Sequence, residues 1–262
     1  MNAPLLRTAG LGRRFGGLQA VADLDREARA GAILGLSGPN GAGKSTTFNM
    51  IAGALTPSAG RIEFDGQNMN GLPAHAFAAR GILRTFQHNK PFASMSLLEN
   101  VMVGMHTRMG VSLWRILAAT SGARRSEQRC AERAAELVEF VGLGEWLGAD
   151  VTTLSFGQGR LLEIARALAG QPRLILFDDP AAGLSPAELI RLADIIRAIA
   201  RQGISVVLIE HDMRFLMALA DRVIVLNFGR KIAEGTPGDI AADPAVIEAY
   251  LGQVGAGALA HA

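Results

Sequence analysis

Four short apolar runs set the rhythm of the chain: Ala32-Ile33-Leu34-Gly35-Leu36, Leu174-Ile175-Leu176-Phe177, Ser205-Val206-Val207-Leu208-Ile209 and Val223-Ile224-Val225-Leu226. A strand covered on both faces needs no polar alternation, so these near-continuous runs predict parallel strands inside a layered domain. Between them the apolar spacing changes to three or four. Ser185-Pro186-Ala187-Glu188 has the form of a capping box with proline at the first helical position. Leu189, Leu192, Ala193, Ile196, Ile199 and Ala200 then fall on one helical stripe. Strands alternating with such helices predict an α/β fold with a mainly parallel sheet. From about Ser96 to Thr153 the alternation stops. No strand-like run occurs there, and Cys130, Ala134, Leu137, Val138 and Val141 share one helical face, which predicts a helical insertion. The expected organisation is one domain over 1–262, with an α/β core of 1–95 and 154–250, an insertion of about 96–153 and a looser Gly/Ala tail at 251–262.

Composition narrows the picture without choosing a function. The 262 residues are 49% hydrophobic and 19% charged, with a mean hydropathy of +0.24, enough for a large core. A net charge of +2 comes from charges of both signs spread along the chain, so no basic stripe points to nucleic acid. Cys130 is the only cysteine, which rules out an internal disulfide and fits a reducing compartment. No apolar stretch approaches the roughly 18 residues of a membrane helix, and Met1–Gly10 has no basic segment leading into an apolar run. The expectation is a soluble protein that reaches a membrane only through a partner.

The strongest chemical signal follows the first apolar run. Gly38-Pro39-Asn40-Gly41-Ala42-Gly43-Lys44-Ser45 has the spacing G-x-x-x-x-G-K-[ST], and Thr46–Ile51 continues as a helix. Glycines let successive backbone N–H groups turn inward toward phosphate oxygens, and the helix N-terminus adds its dipole to that anion site. Lys44 is suited to the β/γ-phosphate charge, and the Ser45 hydroxyl to Mg²⁺. By itself the loop says only nucleoside triphosphate.

Further motifs, in their order along the chain, resemble those of the ATP-binding cassette (ABC) transporter family over nearly the whole length. Leu154-Ser155-Phe156-Gly157-Gln158 resembles the family signature L-S-G-G-Q, with Phe156 where a glycine often stands. Ser155 is placed to cap a helix, and Gly157 keeps the backbone open to a close approach. Leu174–Asp178 resembles the Walker B strand, whose terminal carboxylate, Asp178, would hold Mg²⁺ through water. Gln87, in Arg84-Thr85-Phe86-Gln87, and His211, in Ile209-Glu210-His211-Asp212, match the Q-loop and switch positions. The resemblance gives Gln87 to Mg²⁺ or the lytic water, and His211 to the γ-phosphate. Phe15 matches the aromatic that stacks on adenine, and Ser185 lies in the D-loop. The fold this implies is a P-loop NTPase core with an N-terminal antiparallel β portion and the helical insertion.

Asp179 departs from the family pattern, which has glutamate at that position to orient or deprotonate water. Aspartate is shorter by roughly 1.5 Å of reach, and displacement near 1 Å can cost on the order of a hundredfold in rate. Two readings follow: a conservative exchange in a working ATPase, or an ATP-dependent dimerisation module with weak hydrolysis. Phe15–Val21, Pro180–Leu184, Ile209–Met213 and Ile247–Gly252 further resemble the ATPases of branched-chain amino acid importers, and urea, amide and aromatic-acid importers have similar ones.

The resemblance implies an Mg²⁺-dependent ATPase powering import and working as a homo- or heterodimer. Each ATP would lie between one subunit's phosphate loop and the other's Ser155–Gln158. Two integral membrane permeases would dock near Gln87–Leu98, where Phe92, Met95, Leu97 and Leu98 are available. A solute-binding protein would take part indirectly. The expected place is cytoplasmic, peripheral on the inner face of the plasma membrane. An ABC ATPase without a membrane partner is a third reading, but the chain has neither the tandem cassettes nor the long coiled-coil insertion of those proteins.

Overall fold

Each apolar run becomes a strand whose side chains divide between two cores. The computed structural model describes residues 4–85, 91–105 and 121–250. The chain opens with β1 (Leu6–Phe15), β2 (Leu18–Ala28) and β3 (Ile33–Ser37), then α1 (Lys44–Ile51), β4 (Ala59–Phe64) and β5 (Gln67–Asn68). There follow α2 (Ala74–Ala79), β6 (Ile82–Arg84), α3 (Leu97–Val103), α4 (Ser121–Phe140) and α5 (Phe156–Ala169). The C-terminal part adds β7 (Leu174–Asp178), α6 (Pro186–Arg201), β8 (Ser205–Ile209), α7 (Met213–Leu219), β9 (Arg222–Asn227), β10 (Arg230–Gly235) and α8 (Pro237–Ala242). A further helical stretch covers 244–250.

The central sheet has the order β10-β9-β3-β8-β7-β6, parallel throughout except for the edge strand β10. A second, antiparallel sheet, β2-β1-β4-β5, is the N-terminal portion expected from the family resemblance. Because strand side chains alternate, Ile33, Ile175, Phe177, Val206, Leu208, Val223 and Val225 enter one core. Their neighbours Leu34, Leu36, Leu174, Leu176, Val207, Ile209, Ile224 and Leu226 enter the other, with α1 and the antiparallel sheet. Two cores on opposite faces explain why polar alternation is missing from these runs.

The helical face read from Cys130 to Val141 is present in α4: Ala134, Leu137, Val138 and Val141 are buried, and Cys130 packs at the edge. They meet Leu97 and Val101 of α3 and Leu161, Leu162 and Ala165 of α5 in the same core. One expectation needs correcting. Leu97 is fully buried rather than available for docking, because the Ser96–Glu99 capping box starts α3 at Leu97 and its first turn is aimed inward. Phe92 and Met95 do remain exposed.

The parallel strands β3, β6, β7 and β8 all point the same way, so their carboxyl ends lie on one edge of the sheet. Ser37, Arg84, Asp178 and Ile209 end these strands. Ligand crevices of open α/β sheets form at this edge.

Candidate active site

The loop between β3 and α1 is shaped by close backbone approaches. Gly38 has φ 143°, and a Cβ there would lie 2.1 Å from the Leu226 carbonyl oxygen. Gly43 has φ 99°, and a Cβ would lie 2.4 Å from the Ala20 oxygen. Only glycine fits either position. Gly43 also occupies the cap of α1 and supplies no side-chain acceptor, so the first N–H groups of the helix remain free for an anion. Lys44 is buried, and its ammonium donates to the carbonyls of Gly38 and, at 2.9 Å, Pro39. Burial lowers its pKa, and the charge of nearby Asp179 opposes that shift. Asn40, Gly41 and Ser45 are exposed, and Thr46 is half-buried, on the open side of the loop.

Asp178 stands at the tip of β7, paired in register with Ile209 of β8. Burial pushes its carboxyl pKa up, while Arg84 pulls it down. The Arg84 guanidinium lies 3.5 Å from Asp178 and donates at 2.8 Å to Asn49 of α1. Asp179 and His211 both lie close enough to Asp178 to act on its carboxyl, Asp179 raising its pKa and His211 lowering it, so β7 and β8 bring these three sequence-identified residues together.

Asp179 adopts φ 51°, the left-handed region that Asp and Asn tolerate better than other side chains do. Its N–H donates to the Ile209 carbonyl at 3.0 Å. The next loop is fixed by a residue that the motifs did not single out. Glu210 is 1% exposed and accepts the N–H of Ala181 at 2.8 Å and that of His211 at 3.2 Å. One carboxyl group thus ties the loop carrying Asp179 to the loop carrying His211. Burial raises the Glu210 pKa to about 8, the Ala181 N–H opposes the shift, and the negative charge of Asp179 adds to it. The available signal was an acidic residue directly after four apolar ones, where no solvated face is expected. Arg84 was similarly visible only as a neighbour of Gln87.

The raised pKa has a consequence for stability. The unfolded chain releases this proton near 4.5, the folded chain only near 8. Between these values the unfolded state binds fewer protons, so this group makes stability fall as pH rises. Glu210→Gln mimics the neutral carboxyl and is expected to gain stability relative to the natural chain from pH 5 to pH 8. Urea midpoints across that range check it; a constant difference between the two proteins refutes the buried neutral acid.

Ser155 caps α5 as expected. Its hydroxyl accepts the Gln158 N–H at 3.2 Å, and the Gln158 side chain accepts the Ser155 N–H at 2.8 Å. Phe156 is exposed, lies under the Arg160 guanidinium at 5.2 Å and meets Gly183. A Cβ on Gly157 would collide with Glu188, so the close approach it permits is to α6 of its own chain. Ser155–Gln158 therefore pack beside Gly183 and Glu188, on the loop and helix that follow Asp179. Ser185 caps α6, again through Glu188. Phe15, at the end of β1, is exposed with the Arg13 guanidinium 4.7 Å from its ring centre. Gln87 lies outside the described residues.

The donors fit a small divalent cation held together with phosphate. Ser45 and Asp178 offer hard oxygens, and Mg²⁺ characteristically binds one or two such side chains plus phosphates and water. Among the described residues no three His, Cys, Asp or Glu side chains gather as a dedicated metal cage, and nucleotide-borne Mg²⁺ does not require one.

A glycine-shaped loop leading into a helix, two aspartates and a histidine thus stand together on one sheet edge. The family model described as "ABC transporter" matches residues 21–182, and the chain belongs to that family. A second model, "Branched-chain amino acid ATP-binding cassette transporter", matches residues 230–256. The high-affinity branched-chain amino acid transport ATP-binding protein BraF of Pseudomonas aeruginosa is 41% identical over 97% of this chain and 100% of its own. The corresponding protein LivG of Escherichia coli K12 is 41% identical with the same coverage. A solved ATP-binding cassette of an ABC transporter in its ADP conformation superimposes with a TM-score of 0.83 at 30% identity, covering 96% of this chain and all of that one. The chain is thus an ABC ATPase, and these similarities favour the working transport ATPase; the binding-only module finds no support among them.

Proposed function

We propose that this chain hydrolyses Mg²⁺-ATP to power import of branched-chain amino acids or a closely related small solute. The near full-length similarity to BraF and LivG carries this reading, and the gathering of Lys44, Asp178, Asp179 and His211 on one sheet edge supports it. Gly38, Asn40, Gly41, Gly43, Lys44, Ser45 and Thr46 would hold the phosphates, and Phe15 the adenine. Ser45, Gln87 and Asp178 would hold Mg²⁺, which supplies charge neutralisation at the β- and γ-phosphates. Asp179 would orient and deprotonate water, and His211 would sense the γ-phosphate. Gln87 would report its loss to the membrane subunits.

The partners are a second ABC ATPase subunit, the same or different, two integral membrane permeases and, indirectly, a solute-binding protein. No helix among the described residues is long and apolar enough to cross a membrane, which fits a place on the cytoplasmic face beside the permeases. The 1–95 and 154–250 core with the 96–153 insertion is the proposed division of the domain. The test is the assembly in liposomes with its permeases: phosphate release should rise severalfold with a binding protein loaded with leucine, isoleucine or valine. No stimulation by any of these sends the cargo assignment elsewhere.

Phe156 and Gly157 pack against Gly183 and Glu188 of their own chain, and the family resemblance gives Ser155–Gln158 to the partner's ATP. Ser155→Arg puts a long cation where the partner's phosphate would approach and removes the cap, which costs about 1 kcal/mol. We expect hydrolysis to fall at least about 100-fold, on the order of 2.8 kcal/mol, with ATP affinity of the isolated chain within about threefold. Equal losses of affinity and rate would place Ser155 in its own subunit's site.

A further inference from the structure

We propose that Tyr250 is a positioning residue of the nucleotide site, its hydroxyl fastening the strand end that opens into the phosphate loop to the start of the helix that follows His211. This rests on the ATPase reading above and assigns a task to a segment beyond the ABC-transporter match at 21–182.

Three side chains from distant parts of the sequence meet. The Ser37 hydroxyl is 2.7 Å from the Tyr250 hydroxyl and 2.9 Å from the Met213 sulfur, and the Tyr250 hydroxyl is 3.4 Å from the same sulfur. Two hydroxyl protons serve this triangle. If Ser37 donates to Tyr250, Tyr250 is free to donate to Met213; if Tyr250 donates to Ser37, Ser37 donates to Met213. Both arrangements use both protons, and sulfur needs only to accept. Ser37 is 1% exposed, so losing the Tyr250 partner deprives a buried hydroxyl of a bond that water cannot readily replace.

The positions of the three residues give the cluster its leverage. Ser37 is the last residue of β3, and Gly38 after it already lies against Leu226, where even a methyl group is excluded. Met213 is the first residue of α7, two places after His211, and Asp212 between them caps that helix through the N–H groups of Arg214 and Phe215. Tyr250 is itself anchored. Asp243 accepts the N–H of Ala245 at 2.8 Å, Val246 is buried, and the tyrosine packs on the edge of the larger core. A displacement of Tyr250 therefore acts on the phosphate loop and the switch loop together, although it touches neither phosphate nor His211.

Tyr250 is the only tyrosine in the chain. Uniform 3-fluorotyrosine labelling of the full chain therefore yields a single fluorine resonance. We expect that resonance to move when Mg²⁺-ATP is added, and to stay still in Lys44→Ala, where the loop is disabled. Tyr250→Phe keeps the ring and removes only the hydroxyl. Losing one net hydrogen bond corresponds to about a three- to tenfold change, expected as a rise in KM for ATP alongside a modest fall in Tm. Ser37→Ala should give the same change, and the double variant should be no worse than either alone. If Tyr250→Phe lowers Tm but leaves KM and kcat alone, the residue is only structural and the proposal fails. A natural chain that hydrolyses ATP while its fluorine signal remains fixed also overturns it. A natural chain that does not bind ATP overturns the functional reading first, and this role with it.

Discussion

Lys44→Ala is expected to weaken ATP binding at least about 100-fold and to take phosphate release below detection. The folded chain bends a cationic side chain back under the loop and buries it against the carbonyls of Gly38 and Pro39. Burial opposes the charge, as the lowered pKa records. A polyphosphate over the loop relieves that opposition directly. At 4 Å and an effective dielectric near 20, one unit charge on another is worth about 4 kcal/mol. Half of that, about 2 kcal/mol, already gives more than a tenfold change, and the full value about a thousandfold. Alanine also leaves two loop carbonyls without their donor, so the cradle loses its shape along with its charge. Lys44→Met retains the stem but, like alanine, loses charge and donor together, so equal losses of affinity in both variants assign the effect to the ammonium and not to the packing of the stem. Titration calorimetry with ATP reads the affinity, and thermal unfolding without nucleotide confirms that the fold survives. Binding within threefold of the natural chain would remove this loop from the nucleotide site.

What the sequence made legible was set by the range over which its physics acts. Residues 174–178 and 205–209 could be read as doubly covered strands because each neighbouring side chain enters a different core, and both cores are apolar. The caps at Ser155 and Ser185 were legible because a capping box closes within four residues. The glycines at 38 and 43 were legible because their spacing to Lys44 is itself local. Glu210 was not, since its partner Ala181 lies 29 positions away and no periodicity encodes a bond between two loops. Arg84 and Asn49 meet across 35 positions for the same reason. Leu97 was misread because an apolar residue just outside a predicted helix and one inside its first turn look alike until the cap at Ser96 is located.

Asp179→Asn is expected to abolish steady-state hydrolysis, by at least about 100-fold, while leaving ATP affinity within about threefold. The substitution is suited to the question because of backbone conformation. Asp179 sits at φ 51°, and asparagine tolerates that region as well as aspartate does, so the loop geometry is retained and only the charge and the proposed base are lost. General-base catalysis is commonly worth about 10²–10⁴ in rate, which sets the expected size. Removing the negative charge also ends its support of the Lys44 ammonium and its pressure on Glu210, two effects visible as altered pH dependence rather than as lost binding. Asp179→Glu tests the reach of the shorter carboxylate. Glutamate adds a methylene beside the buried Glu210 carboxyl and is less at ease in the left-handed region, where the penalty for an ordinary side chain is about 1–2 kcal/mol. The loop is built for aspartate, and the expected gain in rate is less than about twofold. Single-turnover phosphate release separates chemistry from product release in both variants. If glutamate instead raises the rate tenfold, the natural aspartate holds this ATPase back; if asparagine hydrolyses at more than a tenth of the natural rate, the base lies elsewhere on the edge, with Glu210 the next group to replace.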